Sequence, residues 1–311
     1  MSYVQIQKEL PVHAKAESIL SCLQDPLFWT FLPTTYRNLD LAARPISLGQ
    51  SVRPSMETYR LADVGQDSVT FRSSILALNY AVENTSADTS QIALTISIED
   101  PCRCTEFLLD ETDKTFLAIA ELFEKYPHYA WLPALQIRAD FAPTGASATV
   151  HSTFQLPFRP EQIEDALIGQ PQLYNQWIDP DIQKGELKVD PNWPARNSTV
   201  TYRYPRDVWF IPPFGRHNVG TVQLTEWIPG KRVVLWDRTE PGGVSTHRTF
   251  DLEATDEANT LLRVTEKSEV GSWISRTFMA RFLRQAIISE GAKSLCELAG
   301  VISKQNGGIA V

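Results

Sequence analysis

The chain has 311 residues, 43% hydrophobic and 21% charged, and its 29 Lys and Arg stand against 37 Asp and Glu for a net charge of −8. That composition suits two globular domains. It argues against a phosphate backbone or an anionic membrane surface as partner, and no apolar run reaches the length of a membrane span. Four cysteines are too few for a disulfide scaffold and read as cytosolic thiols, and the opening MSYVQIQKEL lacks a secretory layout, so the expected location is cytoplasmic.

Taken in chain order, residues 4–33 read as a strand, a Leu-Pro step, two short helical segments broken by proline, and a Trp before a Pro. The same order returns at 150–180. Leu10-Pro11 answers to Leu156-Pro157 and Trp29 to Trp177, with two extra residues in the second copy, so the sequence reads as a duplicated domain. Strands are expected at 49–60, 67–76, 77–84 and 91–98, followed by a helix at 111–125. The alternating stretches 134–141 and 147–156 form a hairpin between the copies. The boundary falls near residue 145, giving domains of 1–145 and 146–311, the first reading as the degenerate copy.

The second copy predicts strands at 197–204, 219–227, 231–239, 245–253 and 260–268, separated by Pro229-Gly230, Pro241-Gly242-Gly243 and the polar run Thr255 to Asn259. From Trp273 onward, Ile274, Phe278, Phe282, Ala286, Ala292, Leu295, Ala299 and Ile302 recur at helical intervals, predicting a closing helix of about 30 residues. An antiparallel sheet that must bury one face against a single long helix gives an α+β domain.

The segments LPFRPEQIEDALIGQPQLYNQW, VQLTEWIPGKRVVLW and HRTFDLEATDEANTLLRVTEKSE, with the terminal helix, resemble the START-like (SRPBCC, Bet v 1-like) superfamily. The two copies together, and the run Trp29 to Thr35, are similar to the di-domain aromatase/cyclases of aromatic polyketide pathways. The resemblance implies two tandem helix-grip domains, each a curved antiparallel sheet wrapped around a C-terminal helix, with a cavity for an elongated apolar ligand. It implies a polyketide cyclase acting on a poly-β-keto substrate, with a polyketide synthase as the source of that substrate. The group's catalytic arginine is not carried over, because the strand Thr221 to Trp227 contains none.

Cofactor and nucleophile motifs are absent, five histidines lie scattered, and Cys102-Arg103-Cys104 has no second pair to complete a metal site, so no cofactor or metal is expected. What remains is acid–base and electrostatic catalysis, or binding alone as a carrier of lipid or hydrophobic metabolite. Arg238 shares a strand face with Val234 and Trp236, and Arg248 shares one with Phe250 and Leu252. Either arginine polarises a carbonyl in a cavity or pairs with a surface carboxylate. His247 and Asp251 share a face and form either an oriented base or a solvated pair. Glu226, in step with Val222 and Leu224, is either a pocket carboxylate or a strand-end surface group. Tyr202 joins Arg238, Arg248, Glu226 and His247 as a candidate catalytic residue. Trp209, Phe210 and Phe214 in the proline-rich run 204–217, with Trp236, Phe278 and Phe282, are the candidate substrate contacts. Trp29 and Trp177 read as packing anchors.

Overall fold

A computed structural model describes residues 5–32, 51–52, 58–142, 147–178, 186–205, 217–240, 244–270 and 273–307. The chain divides into two compact units between Pro133 and Ala134.

The first unit begins with β1 (Gln5–Val12), α1 (Ala16–Leu23) and α2 (Pro26–Trp29). Asp25 starts α2: its carboxylate accepts from the Leu27 N–H at 2.9 Å, and Pro26 occupies the first helical position, where a missing N–H costs nothing. The strands β2 (Ser51–Val52), β3 (Tyr59–Val64), β4 (Ser68–Arg72), β5 (Leu76–Asn84) and β6 (Ser90–Ile98) follow, in the antiparallel order β1-β6-β5-β4-β3-β2. Alternation along β6 is complete, with Ile92, Leu94, Ile96 and Ile98 buried on one face. The helix α3 (Glu106–Lys125), capped by Thr105 and continued by a 3-10 turn at Pro127–Ala134, packs on β1.

The second unit carries eight strands in the order β7-β8-β14-β13-β12-β11-β10-β9. They are β7 (Leu135–Phe141), β8 (Ser147–Leu156), β9 (Glu186–Val189), β10 (Thr199–Pro205), β11 (His217–Ile228), β12 (Arg232–Glu240), β13 (Val244–Ala254) and β14 (Thr260–Val270). Between β8 and β9 run α4 (Pro160–Glu164), a π-turn at Asp165–Gly169 and α5 (Pro171–Ile178). The closing helix α6 (Trp273–Gln305) contacts β7, β8, β14 and α5. Both units are thus α+β, an antiparallel sheet with a helix packed on it, in a helix-grip arrangement. The division lies ahead of the expected boundary near 145 because Leu135 to Phe141 pair with Phe154 to Ala148 and so extend the second sheet.

The duplication is visible in detail, but its register differs from the Leu-Pro match. In the first unit Ser90, at the start of β6, pairs with Val12 and donates its hydroxyl to the Ala14 carbonyl at 2.7 Å. In the second, Thr260, at the start of β14, pairs with Leu156 and donates to the Phe158 carbonyl at 2.6 Å. Val12 therefore takes the place of Leu156, and Leu10-Pro11 lies inside β1. The tryptophans do correspond. Trp29 meets Tyr80 edge-on at 6.2 Å, Trp177 meets Phe250 edge-on at 6.0 Å, and both indoles are buried anchors.

Candidate functional site

Four adjacent strands of the second sheet turn alternate residues onto the buried face. On β11 these are Val222 and Leu224, on β12 Val233 and Leu235, on β13 Phe250 and Leu252, and on β14 Leu262 and Val264. Towards the other end of β12, β13 and β14 the pattern keeps its period but changes its chemistry. The inward positions become Asp237, Thr246, Arg248, Glu266 and Ser268, joined from β10 by Tyr202.

These groups form one hydrogen-bonded chain across the sheet. The Tyr202 hydroxyl, on a residue 2% exposed, donates to the Asp237 carboxylate at 3.1 and 3.3 Å from its two oxygens. Arg248 donates from Nη1 to Asp237 at 3.1 Å and from Nε to Glu266 at 2.9 Å. Its side chain is 15% exposed, those of Asp237 and Glu266 9% and 18%. Beside them, the Thr246 and Ser268 hydroxyls lie 3.2 Å apart. A guanidinium forked between two carboxylates is held in a fixed orientation by charge-assisted bonds. In such a sheltered setting each interaction is stronger than the same contact in water. The assembly combines a proton acceptor, a phenol and a fixed positive charge.

Of the sequence-predicted catalytic residues, Tyr202 and Arg248 are brought together here. The other three lie elsewhere. Arg238 is exposed, because the buried set on β12 is Val233, Leu235 and Asp237; Trp236 and Arg238 share the opposite, outward face. His247 is exposed on that outward face too, its ring 6.2 Å from that of Trp236. Asp251, its expected partner, is bound to Arg232 Nε at 2.6 Å. Nearby Lys267 binds Glu269 at 2.9 Å, and that hydrogen bond and charge hold the Glu269 carboxyl below its ordinary range. Glu226 falls out of step with Val222 and Leu224 because a bulge between Leu224 and Glu226 shifts the register; its side chain is 48% exposed and 4.0 Å from Arg232.

Trp209, Phe210 and Phe214 lie outside the described residues, as do the side chains of Phe278 and Phe282, whose backbone belongs to α6. Sequence reading missed Asp237, Glu266, Thr246 and Ser268. The signal is in the apolar alternation Val233-Leu235, which assigns the next inward position to Asp237. In the first unit an open cleft of about 440 Å³ runs between Glu9, Asp67, Glu83 and Gln91, floored by Ala81 and Ala93. Among the described residues no group of three His, Cys, Asp or Glu could hold a metal ion, and no helix is long and apolar enough to cross a membrane.

No protein-family model matches the chain, and no curated protein matches it. Among solved structures it is similar to di-domain ARO/CYC proteins over nearly its whole length. The di-domain ARO/CYC StfQ from the steffimycin biosynthetic pathway is 11% identical, with 97% of this chain and 99% of that one covered at a TM-score of 0.38. The di-domain ARO/CYC BexL from the BE-7585A biosynthetic pathway is 13% identical, with 94% and 97% covered at 0.32. Protein Ms6760 from Mycobacterium smegmatis is 13% identical and spans 54% of this chain with 98% of its own length, at a TM-score of 0.37.

Proposed function

We propose that the second unit is a polyketide cyclase, converting a poly-β-keto intermediate by aldol cyclisation with dehydration, or by lactonisation to a pyrone, without a cofactor. The observation that carries this reading is the Tyr202–Asp237–Arg248–Glu266 chain at one end of an otherwise apolar sheet face. The hydrogens between two carbonyls are already acidic, so the reaction asks of a protein mainly a shaped apolar surface, one positioned base and one cation.

In the aldol case, an α-hydrogen of the substrate passes as a proton to the Tyr202 oxygen while the phenolic proton moves to Asp237. The enolate carbon bonds to a second carbonyl carbon, whose π pair moves onto its oxygen. That alkoxide takes a proton from Tyr202, and Asp237 returns its own. Loss of the new hydroxyl with an α-proton releases water. Arg248, one hydrogen bond from Asp237, places positive charge beside the developing oxyanion, and Glu266 fixes the fork. For lactonisation the same base acts on an enol O–H.

The test is incubation with a synthetic poly-β-keto thioester, comparing the parent protein with Y202F and R248Q. The parent is expected to change the distribution of cyclised products, and each variant to return it towards the uncatalysed mixture, losing at least tenfold in rate as removal of general acid–base catalysis does (about 10²–10⁴-fold). Saturable binding with an unchanged product mixture would overturn the cyclase and leave a carrier of hydrophobic metabolites.

A further inference from the structure

We infer that Gly220 is a positioning residue for this site: by carrying no side chain, it opens the passage across β11 through which the Tyr202 ring reaches Asp237. Tyr202 stands on β10 directly opposite Gly220 on β11, while Asp237 belongs to β12, the strand beyond. Adjacent strands lie about 4.8 Å apart, so the hydroxyl must travel over the backbone of β11 to meet a carboxylate two strands away. It does so over the α-carbon of residue 220. A Cβ built there would stand 1.9 Å from Cζ of Tyr202, 2.1 Å from Cε2 and 2.3 Å from the hydroxyl oxygen. No side chain tolerates that overlap, so ring and Cβ exclude one another.

The backbone supplies no other reason for glycine at this point. Among the described residues the positive-φ glycines are Gly230 and Gly307, so residue 220 needs no left-handed conformation. Glycine inside a strand weakens it and leaves no side chain to pack, and its presence there marks a close approach by another group. The next two inward positions on the strand, Val222 and Leu224, carry fully buried aliphatic side chains. The gap at 220 is therefore matched in place and shape to the phenol laid across it. Residue 220 decides whether a phenol reaches the Asp237–Arg248 pair, and any substituent there separates the acid–base pair without touching either partner's chemistry.

The catalytic side of this inference rests on the cyclase reading, whereas its geometric side does not, and a double-mutant cycle separates them. Y202F, G220A, the G220A/Y202F pair and G220A/Y202A are compared by thermal melting and by product distribution from the same thioester. G220A is expected to match the loss caused by Y202F, at least tenfold, and Y202F added to G220A is expected to change the rate by less than twofold, because the hydroxyl has already left Asp237. G220A/Y202A is expected to regain the melting temperature that G220A loses, since the clashing ring is gone; this comparison decides the matter even where G220A alone does not fold. Additive losses, or a G220A/Y202A protein no more stable than G220A, would overturn the assignment of Gly220. Rescue of stability with a product mixture that no variant alters would uphold the passage and overturn the cyclase instead.

Discussion

Where Arg248 pairs with Glu266 in the second sheet, the first sheet pairs Leu78 with Ile96; where Thr246 faces Ser268, it pairs Leu76 with Ile98. The correspondence is fixed by hydrogen bonds, since Ser90 and Thr260 begin their strands with the same bond to the incoming chain. From that point the two hairpins run residue for residue. Tyr80 and Phe250 then occupy one position beneath the two anchoring tryptophans, and Val82 and Leu252 the next. The two sheets thus agree at the end that meets the anchors and diverge at the other end. A buried charge costs several kcal/mol to desolvate, and stability alone is served as well or better by apolar residues. The first unit is the demonstration, for it folds the same hairpin with four aliphatic side chains. The polar groups of the second unit therefore call for a reason other than holding the sheet together.

Transplanting the first unit's solution into the second is the strongest way to break this comparison. R248L alone leaves Asp237 and Glu266 facing an apolar side chain, and is expected to cost about 3–5 kcal/mol in urea unfolding. R248L/E266I, which installs the leucine–isoleucine pair, is expected to recover more than half of that loss while abolishing any change in product distribution. If the second substitution added to the damage, the chain would be structural and the contrast between the sheets would lose its meaning.

Most of this architecture follows from local chemistry that can be read along the chain. Gly and Pro punctuation marked the strands of the second sheet, and the recurrence of Ala292, Leu295, Ala299 and Ile302 marked the closing helix, because each depends on neighbours a few residues away. The short strand β9 was not foreseen: Glu186 to Val189 are largely exposed and carry no alternating pattern. The site was half legible. Arg248 could be placed with Phe250 and Leu252 because β13 is regular. Arg238 shares its face with Val234 and Trp236 as the alternation says, but alternation gives two faces without saying which is buried, and this one is the outward face. Glu226 went astray because a one-residue bulge reverses every side chain beyond it and leaves no mark in the composition. The Tyr202–Asp237 contact spans an intervening strand, and no local pattern reports it.

The shared latch sharpens the comparison from the side of likeness, with a smaller effect. Ser90 and Thr260 are both fully buried and close on carbonyls that are buried as well. S90A and T260V each remove the hydroxyl donated to that carbonyl, an expected loss of about 1–3 kcal/mol. The prediction is of similar losses in the two units when each is followed by hydrogen exchange on its own hairpin, protection falling in β5 and β6 for S90A and in β13 and β14 for T260V. A loss confined to one unit would mean that the two bonds are not the same structural device, and the residue-by-residue correspondence would fall with it.

The smallest expected difference lies in the turns that join those hairpins. In the second unit Asp256 accepts the Ala258 and Asn259 N–H groups, each at 2.8 Å, and the Asn259 amide as well. Led by the Ala258 N–H and then the Asn259 side chain, these donors favour the ionised carboxylate and lower its pKa from the ordinary value. In the first unit the same place is held by Ser86, whose hydroxyl accepts the Asp88 N–H at 3.4 Å and meets Thr89 at 2.6 Å. A carboxyl with a depressed folded-state pKa adds stability that is fully present above its unfolded value and is lost as pH falls through the folded one. The β13–β14 turn is therefore expected to loosen on acidification below about pH 4, the ordinary carboxyl range, by losing a cap that the Ser86 hydroxyl supplies in the β5–β6 turn. The chemical shift of the Ala258 amide followed against pH would show it, titrating with the Asp256 carboxyl and losing that step in D256N. An identical titration in D256N would mean that another acid governs the turn.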